Sequence, residues 1–228
     1  QDKRAPRLVL REQGSSLSMA EVEEVQKHLS QLNAQTEKTA QLSFLKGIDH
    51  LLLQDLGAAI SALTEAIERD PSFTLAYYAR SIASLRRSEA ERGRPVEQST
   101  PSTPQVRAAA TGAKGTAPAE LPLPVSAPTR VVEYSPLTDL NQVIAQAPTF
   151  AFAYYNRANL YAKTGDVERA KQDYTKAIEL NPLFAESYFN RGLLYYSEGK
   201  VKEGTRDLSR AGELGLYKAY SLIKRMNK

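Results

Sequence analysis

Cysteine and tryptophan are absent from the 228 residues, and histidine occurs only twice. Without cysteine there is no disulfide framework, no thiolate metal site and no cysteine nucleophile. The two histidines, His28 and His50, do not form a His-x-x-x-His pair and read as helix residues with structural or solvated roles. Neither a Gly-x-Ser-x-Gly elbow nor a Gly-x-x-x-x-Gly-Lys-Ser/Thr phosphate loop occurs, so the common nucleophile and nucleotide signatures are missing. The neighbouring carboxylates Glu21, Glu23 and Glu24 read as solvated charges on a polar face. The expectation is a non-catalytic chain with no cofactor and no metal.

No apolar run approaches the roughly 20 residues of a membrane helix. Gln1-Asp2-Lys3-Arg4 has no apolar core behind it, so no signal peptide is expected, and the missing initiator methionine points to a leader or upstream portion removed. Lys and Arg exceed Asp and Glu by 30 to 26. That excess is spread along the chain rather than gathered into a stripe, so nucleic acid is not an expected partner. The composition fits a soluble chain of the cytoplasm or of a bacterial cell envelope, and does not choose between them.

The chain repeats itself. Asp70-Pro71-Ser72-Phe73, Ala147-Pro148-Thr149-Phe150 and Asn181-Pro182-Leu183-Phe184 each lead into a small residue and an aromatic pair: Tyr77-Tyr78, Tyr154-Tyr155 and Tyr188-Phe189. Pro148 and Pro182 lie 34 residues apart; Pro71 and Pro148 lie 77 apart, one period with an excess of 43. Within one period, Tyr154, Ala158, Tyr161 and Ala162 recur at helical spacing, Gly165-Asp166 interrupts, and Val167, Ala170, Tyr174, Ala177 and Ile178 form a second stripe. Asn181-Pro182 stops that second helix, because the residue before proline is pushed out of the α region. The unit is a pair of helices that cannot bury its apolar stripe alone and must stack on its neighbours.

The excess sits near Ser88 to Glu133, which holds Pro95, Pro101, Pro104, Pro118, Pro122, Pro124 and Pro128 among Ala, Thr, Ser and Gly. It reads as a disordered or extended loop between the two helices of the second unit, with helix regrowing at Ser135-Pro136. Upstream, Ser18-Met19-Ala20-Glu21 is a capping-box pattern, followed by Val22, Val25, Leu29 and Leu32 on one face. Downstream, Ala219, Leu222, Ile223 and Met226 form the stripe of a short last helix.

Period and residues together resemble the tetratricopeptide repeat, a helix–turn–helix unit of 34 residues. Counting places so that the proline falls at place 32 gives units over 40–73, 74–150 (insertion included), 151–184 and 185–218, the last departing with Gly204 at place 20 and Leu216 at place 32. The closing Leu-Ser-Arg-Ala-Gly-Glu-Leu-Gly stretch resembles the C-terminal end of large tetratricopeptide proteins of the Bacteroides group, which implies further repeats upstream. The resemblance implies an all-α, right-handed superhelix of about four repeats. Residues 1–17 are expected to be disordered or extended, 18–39 an added N-terminal helix, and 219–228 a capping helix.

In this family the first helices line a concave groove, and the resemblance places Phe44, Leu45, Ile48, Tyr78, Ile82, Leu85 and Arg86 on it. Phe152, Tyr155, Asn156, Asn159 and Lys163 follow from the third unit, and Glu186, Phe189, Asn190, Leu193 and Tyr196 from the fourth. It implies a protein or peptide ligand, extended or helical, held by aromatic walls and by Asn156 and Asn190. The alternative is a purely architectural stretch of a longer solenoid; a third reading puts the Pro-rich insertion itself in the groove. Place 7 is basic in every unit (Lys46, Arg80, Arg157, Arg191) and place 23 is Asp in three (Asp139, Asp173, Asp207). The expectation is three partly exposed ion pairs within units, each worth about 0–1 kcal/mol; the alternative is an arginine ladder facing an anion.

Overall fold

The computed structural model describes residues 17–92 and 135–226, and among them it contains ten helices and no strand. They are α1 (Met19–Asn33), α2 (Ala40–Leu52), α3 (Leu56–Arg69), α4 (Thr74–Arg92), α5 (Pro136–Gln146), α6 (Ala151–Lys163), α7 (Val167–Leu180), α8 (Ala185–Ser197), α9 (Val201–Glu213) and α10 (Lys218–Met226). Four antiparallel hairpins, α2–α3, α4–α5, α6–α7 and α8–α9, stack in chain order, each second helix against the next first helix. The fold is an all-α helical-repeat solenoid. Among the described residues no helix is long and apolar enough to cross a membrane.

Local chemistry sets the helix ends. Ser18 and Glu21 close a reciprocal capping box on α1, and Thr39, Asp55 and Asp166 cap α2, α3 and α7 through side-chain oxygens. Gly165 and Gly199 turn the third and fourth hairpins with φ of 81° and 74°, where glycine carries no Cβ penalty. In the first hairpin Gln54 occupies the same place with φ 62°.

In three hairpins a large residue of the second helix packs with a small residue of the first: Leu63 with Gly47, Tyr174 with Ala158 and Leu208 with Gly192. Leu63, Leu140, Tyr174 and Leu208 are almost wholly buried, each contributing about 1.5–3 kcal/mol by leaving water. Gly47 lies so near Leu63 that an added Cβ would stand 2.5 Å from its Cγ. In the fourth hairpin two glycines face each other: a Cβ on Gly192 would meet the Gly204 carbonyl at 3.1 Å. Place 20 holds Gly204 there because the helices cross at backbone distance.

One boundary differs from the sequence reading. Helix α4 continues through Ser88 to Arg92, six residues longer than α2, α6 or α8. The reason is side-chain pairing: Arg87 bonds Glu91 one turn on, and Glu89 pairs with Lys163 at the end of α6. Helix α5 starts at Pro136 with Ser135 as N-cap, although the Ser135 side chain makes no capping bond. The expectations for residues 1–16 and for the insertion, including its occupation of the groove, lie outside the described residues. At the ends, α1 packs on α2 with Leu32 buried, and α10 packs on α9 through Ala219, Leu222 and Ile223.

Replacing Gly47 with Ala tests the close approach. Overpacking costs about 1–3 kcal/mol, while the gain in helix propensity returns about 1. The expected outcome is a net loss, seen as a lower urea midpoint at unchanged slope. An unchanged midpoint would show that the hairpin opens freely.

Candidate functional site

The basic residues at place 7 are engaged inside the solenoid. Arg80 forms a two-pronged bond with Asp139 (2.9 and 2.7 Å), Arg157 with Asp173 (2.7 and 2.8 Å) and Arg191 with Asp207 (2.7 and 2.9 Å). These are not surface pairs: the Arg80 and Asp139 side chains are 7% and 3% exposed, the other two only moderately more. Each guanidinium also donates its remaining Nη to the second helix of the preceding unit: Arg80 to Thr64 (3.1 Å), Arg157 to Asn141 (2.8 Å), Arg191 to Thr175 (2.9 Å). Sequence reasoning missed these three acceptors, yet all stand at place 25. Tyr77, Tyr154 and Tyr161, and Tyr188 and Tyr195 flank the same arginines at 5.7–5.9 Å, adding cation–π attraction. An arginine ladder aimed at an outside anion would need these three groups unbound. In the first unit place 7 is Lys46 and place 23 is Ala62, which offers no carboxylate.

The aromatics at place 5 stand at the joints between units. Phe44 packs on Phe73 (4.8 Å), Tyr78 edge-on against Phe150 (4.9 Å) and Tyr155 on Phe184 (4.7 Å). In each case the partner is the Phe at place 34. In the last unit that place is Lys218, whose ammonium lies 5.0 Å from the Phe189 ring. Phe152 links Phe150 (5.9 Å) and Phe184 (4.9 Å) while remaining 46% exposed. Ile48 and Ile82 each pack against the first hairpin's core. Tyr196 turns away from the face: its ring fills the hollow over Gly204 and its hydroxyl meets Thr205 at 2.5 Å.

Amide side chains join the first helices. Asn156 donates to the Tyr78 hydroxyl (3.0 Å), and Asn190 to Asn159 Oδ1 (3.0 Å), which also accepts from Tyr174 (2.5 Å). Asn190 also reaches the Tyr155 hydroxyl at 3.4 Å. Burial pushes the Tyr78 phenol up to about 12 against the opposing Asn156 bond, and raises Tyr174 further still, so both remain neutral donors. Both amides bond through their nitrogens, and the Oδ1 atoms of Asn156 and Asn190 accept no bond from a described residue. The first helices thus carry exposed apolar side chains, Leu45, Leu52, Leu75 and Phe152, together with two amide oxygens that bond no described residue. Among the described residues no group of three His, Asp or Glu side chains could hold a metal.

His28 Nδ1 meets the buried Asp49 carboxylate at 2.7 Å, tying α1 to α2. Burial raises the Asp49 pKa, outweighing His28 and His50, which lower it.

Two substitutions check these groups. Asp139→Ala leaves Arg80 buried without its carboxylate and should cost about 3–5 kcal/mol, read by chemical denaturation; a loss below about 1 kcal/mol would reduce the pair to a surface contact. For Asp49 the folded pKa lies above the unfolded one, so its contribution is full below the unfolded value and is lost as pH rises through the folded value. Asp49→Asn should therefore melt at or above the parent near pH 7, and the difference should shift toward the parent below about pH 4. A gap moving the other way would contradict the burial effect.

Three tetratricopeptide-repeat family profiles match the chain, over residues 44–105, 151–184 and 173–204. No curated protein matches it. Among solved structures, MamA from Desulfovibrio magneticus RS-1 (41 to the end) superposes with a TM-score of 0.59 at 16% identity, over 85% of either chain. YrrB, described as a TPR protein with an unusual peptide-binding site, gives 0.60 at 11% identity, over 90% of this chain and 87% of its own. At these identities the likeness is one of fold.

Proposed function

Because the chain belongs to the tetratricopeptide-repeat family, we propose that it is a non-catalytic protein–protein interaction module whose first-helix face binds a peptide segment. The observation that carries this reading is Phe152. It sits in a string of rings from Tyr78 to Phe184, yet 46% of it is open to solvent at the middle of the face. A ring held by its neighbours offers contact area at low entropy cost. Beside it on α6 is Asn156, and on α8 Asn190, each anchored through its nitrogen and presenting its oxygen. A peptide backbone brings N–H groups that such oxygens accept. The place-5 aromatics, by contrast, serve mainly as packing, so the ligand surface is narrower than the whole set of first-helix residues.

A display selection of short random peptides on the immobilised chain tests the reading. A recovered peptide should bind Phe152→Glu about tenfold or more weakly, as loss of an aromatic anchor does, while the helical circular-dichroism signal and melting temperature stay near the parent's. Undiminished binding by that variant would move the site elsewhere.

A further inference from the structure

We propose that the two ends of the chain are complementary halves of one hairpin, so that α10 of one copy joins α1 of a second copy head to tail and the solenoid continues across molecules. Helix α1 is a second helix without a first. No helix precedes it among the described residues, yet its register is that of α3: Val25 and Leu29 stand 34 residues before Ala59 and Leu63. The linker behind it matches too. Arg69, the last residue of α3, donates to the Lys38 carbonyl as Gln146, the last of α5, donates to the Pro71 carbonyl. His28 holds α1 in this place through Asp49 on α2. Ala59 and Leu63 are fully buried, whereas Val25 and Leu29 are only half-buried and Met19, on the same stripe, is exposed.

Helix α10 is a first helix without a second. Helices α4, α6 and α8 open on a backbone bond from Ala76 to Phe73, Ala153 to Phe150 and Ser187 to Phe184; Ala219 donates to Leu216 in the same way, two residues early by the 34-residue count. These four small residues are all wholly buried, and a tyrosine follows each. Tyr154 and Tyr188 cluster with Ala177 and Ala211 of their own second helices. Tyr220 has no second helix after it among the described residues; its ring leans on Gly212 of α9 and stays 45% exposed.

Charge matches the same junction. Helices of a hairpin run antiparallel, so the last turn of α10 comes beside the first turns of α1 in the next copy. Lys224 and Arg225 are exposed in that last turn, Lys218 is the other charge of α10, and no Asp or Glu follows Glu213, which pairs with Arg210. In α1, Glu23 and Glu24 are exposed with Glu21 beside them, against Lys27 one turn on. Residues 1–16 carry Lys3, Arg4, Arg7 and Arg11 against Asp2 and Glu12, so the acidic patch is local to these turns of α1. Unlike charges meet there, while the stripe from Met19 to Leu29 covers Tyr220. The contact is heterologous, each copy keeps one free end, and growth does not close on itself.

Sedimentation velocity on the full chain tests this. The mean mass should rise with concentration past that of a dimer and fall back at high salt. Glu23→Lys with Glu24→Lys makes the head basic; Lys224→Glu with Arg225→Glu makes the tail acidic. All four side chains are exposed, so the helical circular-dichroism signal and Tm should stay near the parent's. Each double variant alone should need about tenfold more protein to associate, and an equimolar mixture of the two should associate like the parent, because every junction then joins opposite charges. Phe152→Glu should leave the mass unchanged. A parent that stays monomeric up to about 1 mM, association that stops at a dimer, or a mixture no better than its components would overturn the proposal. So would loss of association in Phe152→Glu, which would seat the second copy on the first-helix face instead.

Discussion

One guanidinium per joint holds this solenoid in register. Arg80, Arg157 and Arg191 each grip an aspartate on the partner helix of their own hairpin and a polar oxygen on the hairpin before. Apolar packing between α-helices tolerates sliding and rotation, whereas a buried forked cation has one geometry that satisfies its donors. Desolvating such a pair removes much of its net worth. Its main effect is therefore to fix how one hairpin sits on the next, while Leu63, Leu140, Tyr174 and Leu208 supply the burial.

The same division of labour explains what was legible beforehand. The hairpins, their capped ends and the arginine–aspartate pairing follow from residues recurring at fixed offsets, and local periodicity carries that information. The acceptors Thr64, Asn141 and Thr175 recur too, but their types vary, and a hydroxyl at a mid-helix position is a weak sign on its own. Their role emerges only when one hairpin is laid on another. The extra length of α4 was hidden for a related reason: Ser88 to Arg92 lack an apolar stripe and are held by charges across helices and turns. Tyr196 was misplaced because Gly204 opens a hollow that draws its ring toward α9.

The face itself shows why a list of facing positions is a poor guide to binding. Phe44, Tyr78, Tyr155 and Phe189 stand in line with Phe152, yet each is already matched by a ring or, at the last joint, by the Lys218 ammonium. Asn156 and Asn190 are half committed, the nitrogen bonded to the neighbouring helix and the oxygen left without a described partner. Surface chemistry here is what remains after the joints have taken their share. That remainder is aliphatic at one end and amide-lined at the other.

The second hairpin shows what this joinery permits. Its two helices are separated in sequence by residues 93–134, yet Arg80 and Asp139 meet across a gap of 59 positions as closely as the other pairs do across 16. Thr74 and Gln146 meet at 2.7 Å at the other end of the hairpin. Closing so long a connection costs about 2 kcal/mol more than closing a tight turn, a sum the buried seam can absorb. Connection length is thus of little consequence to the spiral at this one point, which makes it a natural port where foreign sequence can be spliced in while the coil on either side keeps its pitch.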